Sequence, residues 1–527
     1  MTADDHAAGG DWRAGRWLVL LGACFYLLTT SAEDPAGDGA LLYSVAEHLV
    51  DEGSLCAGPV RAGNTYLRDG CRLTDYGLGT SLVLAPGVAL LRLVEAAGLD
   101  SGPLYAPLRA LLVHLMPALV GGLGWLLLFV LAARLGGSRR RAFWLTLAVG
   151  LTTTLWFYHR TAMSETVQTC ALLGCAVGLQ AHRRSGRGGP LLGAAAAFGL
   201  AVTNKAALWA VSPALLLYLA WDRWRAALKP LLVFGALLLP FGLLQLWFNQ
   251  LRFGDLLDFG YHTFRDGELG FSHPLGFALW GYLFSPGKSF FLYNPVALLA
   301  LAGWPAFWRR QRPEAALFLS IIAIVVFIFG RWWSWHGDWA WGPRFLVVLV
   351  PFACLPAVFV RPAGFGRLGR GALLAGALVA FWVQLLGCSV PVWKYLGTAF
   401  EATRSSFPGY DERLGGLPYR PLDDQLAVHH LPHFSPILGH WWLLKHLLLQ
   451  DPDFARDHPW KSLGIEAWTP RGVELDYGLD WWGARSSRDG RDPALGLVLP
   501  LALLLAAGAG WSLRRAWRSS SDPPPGG

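Results

Sequence analysis

The chain contains a long series of apolar stretches that carry almost no charge, and this feature limits its fold more than any other. A helix needs about 20 apolar residues to cross a bilayer. The stretches that approach or exceed this length lie at 17–30, 107–135, 142–158, 163–181, 190–203, 206–221, 230–250, 286–308, 314–330, 345–360, 371–391 and 495–513. Only 15% of the residues are charged, whereas soluble domains carry about 25%. The sequence therefore predicts an all-α polytopic membrane protein of about 12 to 13 transmembrane helices and excludes an ordinary soluble enzyme.

The basic residues indicate how the chain is oriented. Many arginines stand in short clusters between the apolar stretches, at 139–141, 183–187, 223–225, 309–312, 361–370 and 514–518. With the N-terminus inside, all of these clusters fall on the inner side, as the positive-inside rule requires. The net charge of +8 is then a topology signal, and a nucleic-acid partner is not expected. The outer face receives the polar segments 31–75, 159–162, 203–205, 251–285, 331–344 and 392–494.

This orientation depends on the stretch 76–97. If that stretch crosses fully, the cluster 139–141 faces outward and one more short crossing is needed. Pro86, Arg92 and Glu95 favour a re-entrant or surface-lying segment instead. The expected organisation is then a transmembrane domain at 1–391, an outer-face region at 392–494, a last transmembrane helix at 495–513 and a disordered cytoplasmic tail at 514–527.

Two of the seven cysteines lie outside the apolar stretches, both in the first outer loop. Cys56 and Cys71 are close enough in sequence for an oxidising exterior to join them. Two unpaired thiols are an equally good interpretation of the sequence alone.

The first outer loop contains an amphipathic helix at 38–52, with Leu41, Val45 and Leu49 on its apolar face. Such a helix is typical of one that lies on the membrane surface. Asp38 stands at its start, where an aspartate commonly caps free backbone N–H groups. The alternative is that Asp38 faces the outer surface as a carboxylate base.

Two further segments place charge next to apolar sequence. Arg160 and Glu165 flank the turn between two predicted spans, where interfacial anchoring and a favourable helix dipole are the simple explanation. An acidic residue so close to the membrane is nevertheless costly unless it is paired or used. Lys205 and Lys288 are two of only six lysines, and both fall on the outer side. Each either anchors its helix at the interface or offers an ammonium to a phosphate.

A tryptophan-rich loop precedes the stretch at 345–360. Five tryptophans between 332 and 341 form an aromatic belt, which is common at a membrane interface. His336, Asp338 and Arg344 share the loop, and an arginine at the start of an outer span suits a phosphate at the lipid surface.

The order of several motifs resembles that of the lipid-carrier-dependent glycosyltransferases of the GT-C fold, close to the bacterial protein-mannosyltransferase and aminoarabinose-transferase type. The motifs run from Asp38 with Tyr43 through Tyr76-Gly77-Leu78-Gly79, Met163-Ser164-Glu165, Thr203-Asn204-Lys205, Arg252-Phe253-Gly254-Asp255 with Gly260-Tyr261, Phe284-Ser285-Pro286-Gly287-Lys288, Tyr293-Asn294-Pro295, 335–345 and 435–440. The chain departs from its relatives at Glu33-Asp34, where either residue could hold the role given to Asp38, and at Asp75, where many relatives carry a basic residue.

The resemblance implies a GT-C-like helical bundle in the bacterial cytoplasmic membrane with its active site on the outer face. It implies inverting transfer of a sugar from a polyprenyl-phosphate donor to an acceptor hydroxyl of a lipid, glycan or protein. Asp38 would then be the base, with Glu165 orienting the acceptor or sharing that role. The expected substrate and phosphate contacts are Lys205, His336, Arg344, Arg160, Lys288, Tyr43 and Tyr261.

The sequence leaves the cofactor question open, because it shows no tight metal-ligand spacing and does not say whether a divalent cation assists. Two other functions compete with the transferase. A lipid-linked sugar flippase would need ionisable groups near the bilayer midplane, and the centres of these spans are nearly free of charge. A polysaccharide ligase that uses a diphosphate-linked donor would share the outer-face site.

Overall fold

A computed structural model describes most of the chain in side-chain detail. The described residues are 12, 15–31, 34–59, 65–102, 105–136, 138–222, 224–260, 270–337, 340–361, 364–406, 429–449, 458–459, 478–481, 503, 505–510 and 514. Tyr261 and Asp338 of the predicted site lie outside them, as do most of the predicted last span and the tail.

Helices account for nearly all of the described structure. They are α1 Trp17–Leu28, α2 Asp38–Glu52, α3 Gly79–Ala96, α4 Tyr105–Arg134, α5 Arg139–Thr152, α6 Leu155–His159, α7 Ser164–Ser185, α8 Gly188–Asn204, α9 Ser212–Ala220, α10 Leu228–Phe253, α11 Leu275–Phe284, α12 Phe290–Tyr293, α13 Val296–Arg310, α14 Arg312–Arg331, α15 Val350–Cys354, α16 Arg367–Ser389, α17 Val392–Ser406 and α18 Pro436–Leu449. Short 3-10 helices occupy Ala206–Val211, Arg344–Leu349, Leu355–Phe359 and Pro432–Phe434. Two antiparallel strands, β1 Thr65–Arg68 and β2 Cys71–Thr74, form a hairpin.

The prediction of a helical polytopic membrane protein is confirmed. Within the described residues, five helices are long and apolar enough to cross a bilayer, namely α3, α4, α10, α14 and α16. Further apolar helices are shorter, and prolines lie within or next to several of them. The stretch 286–308, expected to be one span, instead contains the short helix α12 and the start of α13, which are separated at Pro295. Helix α11 precedes it and ends at Phe284, two residues before Pro286. The stretch 345–360 likewise alternates between 3-10 and α-helix, with Pro351 and Pro356 near the starts of its last two pieces.

Hydrogen bonds join segments that the arginine pattern assigns to the same side of the membrane. Arg184 donates to the carbonyl of Arg134, and Arg141 donates to the carbonyl of Val358, so basic segments assigned to the inner side meet one another. At the other end, Thr30 donates to the carbonyl of Arg160, which joins two segments assigned to the outer side.

Helix α3 lies beside the amphipathic helix α2 along its length. Ser81 near its start donates to the carbonyl of Leu42, and Arg92 near its end pairs with Asp51 at 2.7 Å. The next helix, α4, begins at the same side, because Arg109 pairs with Asp34 of the first outer loop. These contacts favour the surface-lying arrangement, although α3 continues through Pro86 and is long enough to span.

The first outer loop is fixed at three points. Cys56 and Cys71 form a disulfide, so the thiol alternative is not the one that the structure adopts. Arg68 of β1 donates to the carbonyl of Gln250 at the end of α10. Beyond the hairpin, Arg252 holds the backbone that leads into α3. The loop is therefore attached to the outer end of α10.

The described parts of the predicted outer-face region pack against the bundle. The Asp480 carboxylate pairs with Arg160 and accepts from Ser31 at 2.6 Å. The backbone N–H of Asp480 donates to the carbonyl of Ser389 at the end of α16. This region is thus attached to the outer ends of the spans, while its boundaries at 392 and 494 stay predictions.

Candidate active site

Arg344 lies at the centre of a small group of charged side chains. Its Nη1 donates to Oδ2 of Asp38 at 2.5 Å, and its Nε donates to Oε1 of Glu165 at 2.7 Å. The Arg344 and Glu165 side chains are 8% and 3% exposed, while that of Asp38 is 20% exposed. Three residues from separate outer segments, all predicted as site residues, therefore meet in one cluster, and Asp38 is its most accessible carboxylate.

The tryptophan-rich loop places Arg344 through its backbone. Lys288 Nζ donates to the carbonyls of Ala340 and Gly342 at 3.0 and 3.2 Å. The Tyr158 hydroxyl donates to the carbonyl of Trp341 at 3.0 Å. Gly342 has a φ of +65°, a conformation that a glycine adopts without strain. The loop is therefore held by buried donors from neighbouring elements just before Arg344.

Asp38 is placed by the turn into α2. Gly37, the N-cap residue, has φ +54° and ψ −127°, a conformation open essentially to glycine alone. Asp38 is the first helical residue, and its carboxylate bonds to Arg344 and to the Tyr76 hydroxyl instead of capping the helix. Burial raises the pKa of Asp38, but the Arg344 guanidinium and the Tyr76 hydrogen bond outweigh it and leave the pKa below its usual value. Asp38 is thus ionised at neutral pH.

Glu165 lies in the first turn of α7, where the helix dipole favours a negative charge. Its Oε1 accepts from Arg344, whereas Oε2 is buried and has no hydrogen-bond partner among the described residues. Unsatisfied buried oxygens of this kind are rare, and one at a functional site suits a bound donor group. Oε2 is therefore available to a hydrogen-bond donor.

Lys205 brings a second cation to the cluster. Its Nζ lies 4.6 Å from the centre of the Phe345 ring and 5.5 Å from that of Phe329. The ammonium also lowers the pKa of Asp38 electrostatically. Lys205 directly follows α8, whose last residue, Asn204, accepts from the Thr80 hydroxyl at 2.5 Å. The end of α8 thus supplies a cation beside the carboxylates.

The Tyr76-Gly77-Leu78-Gly79 turn packs tightly on the end of α8. A Cβ at Gly77 would overlap the carbonyl oxygens of Thr203 and Asn204, so only glycine allows this approach. The close approach sets Tyr76 beside Asp38. Sequence reasoning used this turn only as part of a resemblance and missed Tyr76 as a site residue.

Beside Lys205, an apolar groove of about 750 Å³ opens between α10, α14 and the 3-10 helix Ala206–Val211. Its lining residues are Ala206, Ala207, Trp209, Ala210, Gly242, Gln245, Leu246, Phe259, Phe271, Phe327, Ile328 and Arg331. Ala206 follows Lys205 directly in the chain, so one end of the groove adjoins the charged cluster. No sequence pattern predicts the groove, because its walls come from distant segments.

Two predicted phosphate contacts have other partners. Arg160 is buried and donates to the Asp480 carboxylate and to the carbonyls of Thr29, Cys388 and Asp480. Lys288 is buried and contacts the loop backbone as described above. These contacts show that Arg160 anchors the region around Asp480 and that Lys288 holds the loop, while their phosphate contacts stay predictions.

His336 and Tyr43, two further predicted residues, lie in buried surroundings. His336 is buried, with its ring 5.0 Å from that of His429, and burial together with Lys288 puts its pKa well below the usual value. A neutral imidazole adds no positive charge for a phosphate. Tyr43 packs in a hydrophobic cluster between α2 and α3. Tyr261 lies outside the described residues.

The charges of the cluster suggest how its tasks are divided. Arg344 is shared by two carboxylates, so its positive charge is already compensated. Lys205 adds a second positive charge that acts on Asp38. Among the described residues, no group of three or more His, Cys, Asp or Glu side chains is arranged to hold a metal ion. The cluster can accept a proton, orient a hydroxyl and neutralise an anion.

These features define a helical membrane protein with a paired-carboxylate site next to a lipid-sized groove. No protein-family model matches the chain, and no curated protein matches it. A crystal structure of ArnT from Cupriavidus metallidurans bound to undecaprenyl phosphate is similar, with 14% identity and a TM-score of 0.48, over 85% of this chain and 73% of ArnT. The apo structure of the same protein gives the same identity and TM-score over 95% of this chain and 77% of ArnT. A resemblance to the aminoarabinose-transferase type was predicted from the sequence, and these are the structures found to be similar.

Proposed function

We propose that this protein transfers a sugar from a polyprenyl-phosphate donor to an acceptor hydroxyl at the outer face of the cytoplasmic membrane, with inversion at the anomeric carbon. The observation that carries the proposal is the meeting of Asp38, Glu165 and Arg344 beside Lys205 and an apolar groove. The acceptor class and the sugar are open to experiment.

The chemistry requires one base and one cation. A phosphate attached to the anomeric carbon is a good leaving group, so no general acid is needed. Asp38 is ionised and partly exposed, and it takes the proton of the acceptor hydroxyl as that oxygen attacks the anomeric carbon. The bond to the phosphate oxygen breaks on the opposite face, which inverts the configuration. Glu165 Oε2 accepts a hydrogen bond that orients the acceptor.

The departing phosphate requires a nearby cation that neutralises its developing charge. Arg344 is held between two carboxylates, and Lys205 lies beside it at the end of the groove. An ammonium on a flexible stem binds phosphate as a point charge. Lys205 therefore holds the phosphate, with Arg331 of the groove lining as a second cation.

The groove suits the isoprenoid part of the donor. Its lining is almost entirely apolar, and it lies between helices with lipid-exposed surfaces such as Leu239 and Phe327. Apolar burial stabilises a chain there by about 0.8 kcal/mol for each CH₂ group removed from water. In the bilayer this gain is smaller, and the groove then selects mainly by shape.

The test is to incubate the purified protein with a panel of polyprenyl-phosphate sugars and an acceptor mixture, and to determine which donor loses its sugar. The proposal expects that at least one donor transfers its sugar with inversion of the anomeric configuration. Movement of the intact sugar-lipid across a vesicle membrane, without cleavage, would instead support the flippase. Turnover of diphosphate-linked but not monophosphate-linked donors would support the ligase.

A further inference from the structure

Arg252 is a buried arginine that the proposed chemistry leaves without a task. It lies in the last turn of α10, and 2% of its surface is exposed. Its Nη1 donates to the carbonyls of Thr74, Asp75 and Tyr76 at 3.3, 2.9 and 3.1 Å. A single guanidinium group therefore holds three successive carbonyls of the segment that leads into the Tyr76 turn.

The guanidinium is itself held rigidly. It lies 4.2 Å from the Phe248 ring centre and 4.5 Å from that of Phe253. Its Nη2 donates to Asn249 Oδ1 at 3.0 Å, and the same oxygen accepts from Gln245 Nε2 at 2.7 Å. Gln245 belongs to the groove lining. A continuous polar chain thus runs from the groove wall through Asn249 and Arg252 to the backbone of Tyr76.

We propose that Arg252 is a positioning residue of the site, which places the Tyr76 hydroxyl on Asp38 by fixing the backbone of residues 74–76. The inference rests on the proposed function, since it concerns the group that acts there as the base. Lysine would be a poor substitute, because one ammonium cannot reproduce the planar fork that reaches the carbonyls through Nη1 and Asn249 Oδ1 through Nη2.

The electrostatic surroundings make the effect measurable. Asp38 faces Arg344, Tyr76 and Lys205, and Glu165 shares Arg344 with it. Asp75 interacts electrostatically with Arg252 and Asp258. Without Arg252, the Tyr76 hydroxyl no longer stays on Asp38, while Arg344 and Lys205 remain. The Asp38 carboxylate is then less stabilised, and it binds its proton at higher pH.

The experiment measures the pH midpoint at which Asp38 reacts with a carbodiimide and an amine probe, detected by peptide mass spectrometry on the full-length protein. Since only the protonated carboxyl couples, the midpoint follows the Asp38 pKa. Y76F is expected to raise the midpoint by about one pH unit, the value of one hydrogen bond to a charged group. R252Q is expected to raise the midpoint as well, and R252K is expected to raise it by less. Adding R252Q to Y76F should cause no further rise, because the Tyr76 hydroxyl is already absent.

Arg68→Gln is the matched control, because Arg68 binds carbonyls at the same end of α10 without contacting residues 74–76. It should leave the midpoint unchanged. An unchanged midpoint in folded R252Q or R252K, or a further rise when R252Q is added to Y76F, would overturn the inference. Labelling needs no substrate, so its result is independent of transfer. A wild-type protein that transfers no sugar would refute the proposed function alone.

Discussion

Replacing Arg344 with glutamine should have a large and specific effect. The Arg344 guanidinium is the shared partner of Asp38 and Glu165, and the change leaves two carboxylates facing each other. Breaking a buried ion pair by removing one partner costs about 3 to 5 kcal/mol, because the remaining charge is uncompensated. The lower end applies to Asp38, since its side chain is 20% exposed and water can partly solvate it. Glu165, at 3% exposure, should contribute most of the loss.

Thermal unfolding of the detergent-solubilised protein, followed by tryptophan fluorescence, measures this loss. Arg344→Gln should lower the midpoint by several degrees, and adding Glu165→Gln should recover part of it, because one of the two stranded charges is then removed. The pH dependence supplies a second readout. The acid limb of activity should move to higher pH, because Asp38 loses the guanidinium that keeps its pKa low. If Arg344→Gln unfolds at the wild-type temperature and Glu165→Gln changes nothing in its background, the shared ion pair does not stabilise the protein.

Three further changes test other parts of the account. Lys205→Ala should raise the KM for the donor by about tenfold or more, because one cation that binds the phosphate is lost, whereas Lys205→Arg should keep most of the binding. A KM equal to that of the wild-type protein in Lys205→Ala would exclude a phosphate contact. Ala210→Phe narrows the groove, and it should weaken competition by long-chain polyprenyl phosphate but not by a short-chain analogue; equal weakening of both would place the isoprenoid elsewhere. Arg160→Met should destabilise the protein by about 3 to 5 kcal/mol, because the Asp480 carboxylate then stays buried without its partner. Adding Asp480→Asn should restore stability, and the KM for the donor should stay unchanged. A raised KM would show that Arg160 binds the phosphate.

Sequence reasoning predicted the class of fold and the three charged residues that meet at Arg344, and the physical reasons are clear. Apolar length and arginine placement depend on the bilayer, so they are visible in one dimension. An acidic residue next to a span is costly without a partner, and this singled out Glu165. Asp38 was predicted from its place at the start of an amphipathic helix, and Arg344 from its place after the tryptophan-rich loop. The structure brings these three together.

The same reasoning could not predict the partners of the individual cations. Arg160 and Lys288 have the same sequence context as Lys205, and only the contacts with Asp480 and the Ala340 carbonyl distinguish them. The relevant partner of Arg160 is 320 residues away in sequence. Tyr76 and Arg252 were missed for a related reason, since their importance comes from a backbone approach that no residue pattern reveals.

The breaks in the apolar stretches follow a similar rule. Hydrophobicity predicted one span at 286–308, but Pro286 and Pro295 interrupt the helix hydrogen bonds. The turn between α11 and α12 contains Lys288, which contacts the tryptophan-rich loop. The interruption of the apolar stretch therefore supplies a residue that holds the loop preceding Arg344.

The rate of sugar transfer by Asp38→Asn, measured with the donor that the wild-type protein uses, tests the central claim most directly. Asparagine keeps the size of the side chain but cannot accept the acceptor's proton, so the rate should fall by about two to four orders of magnitude. The variant should still insert and bind the donor with a similar Kd, because Lys205 and the groove are unchanged. Transfer at the wild-type rate by Asp38→Asn would contradict the account.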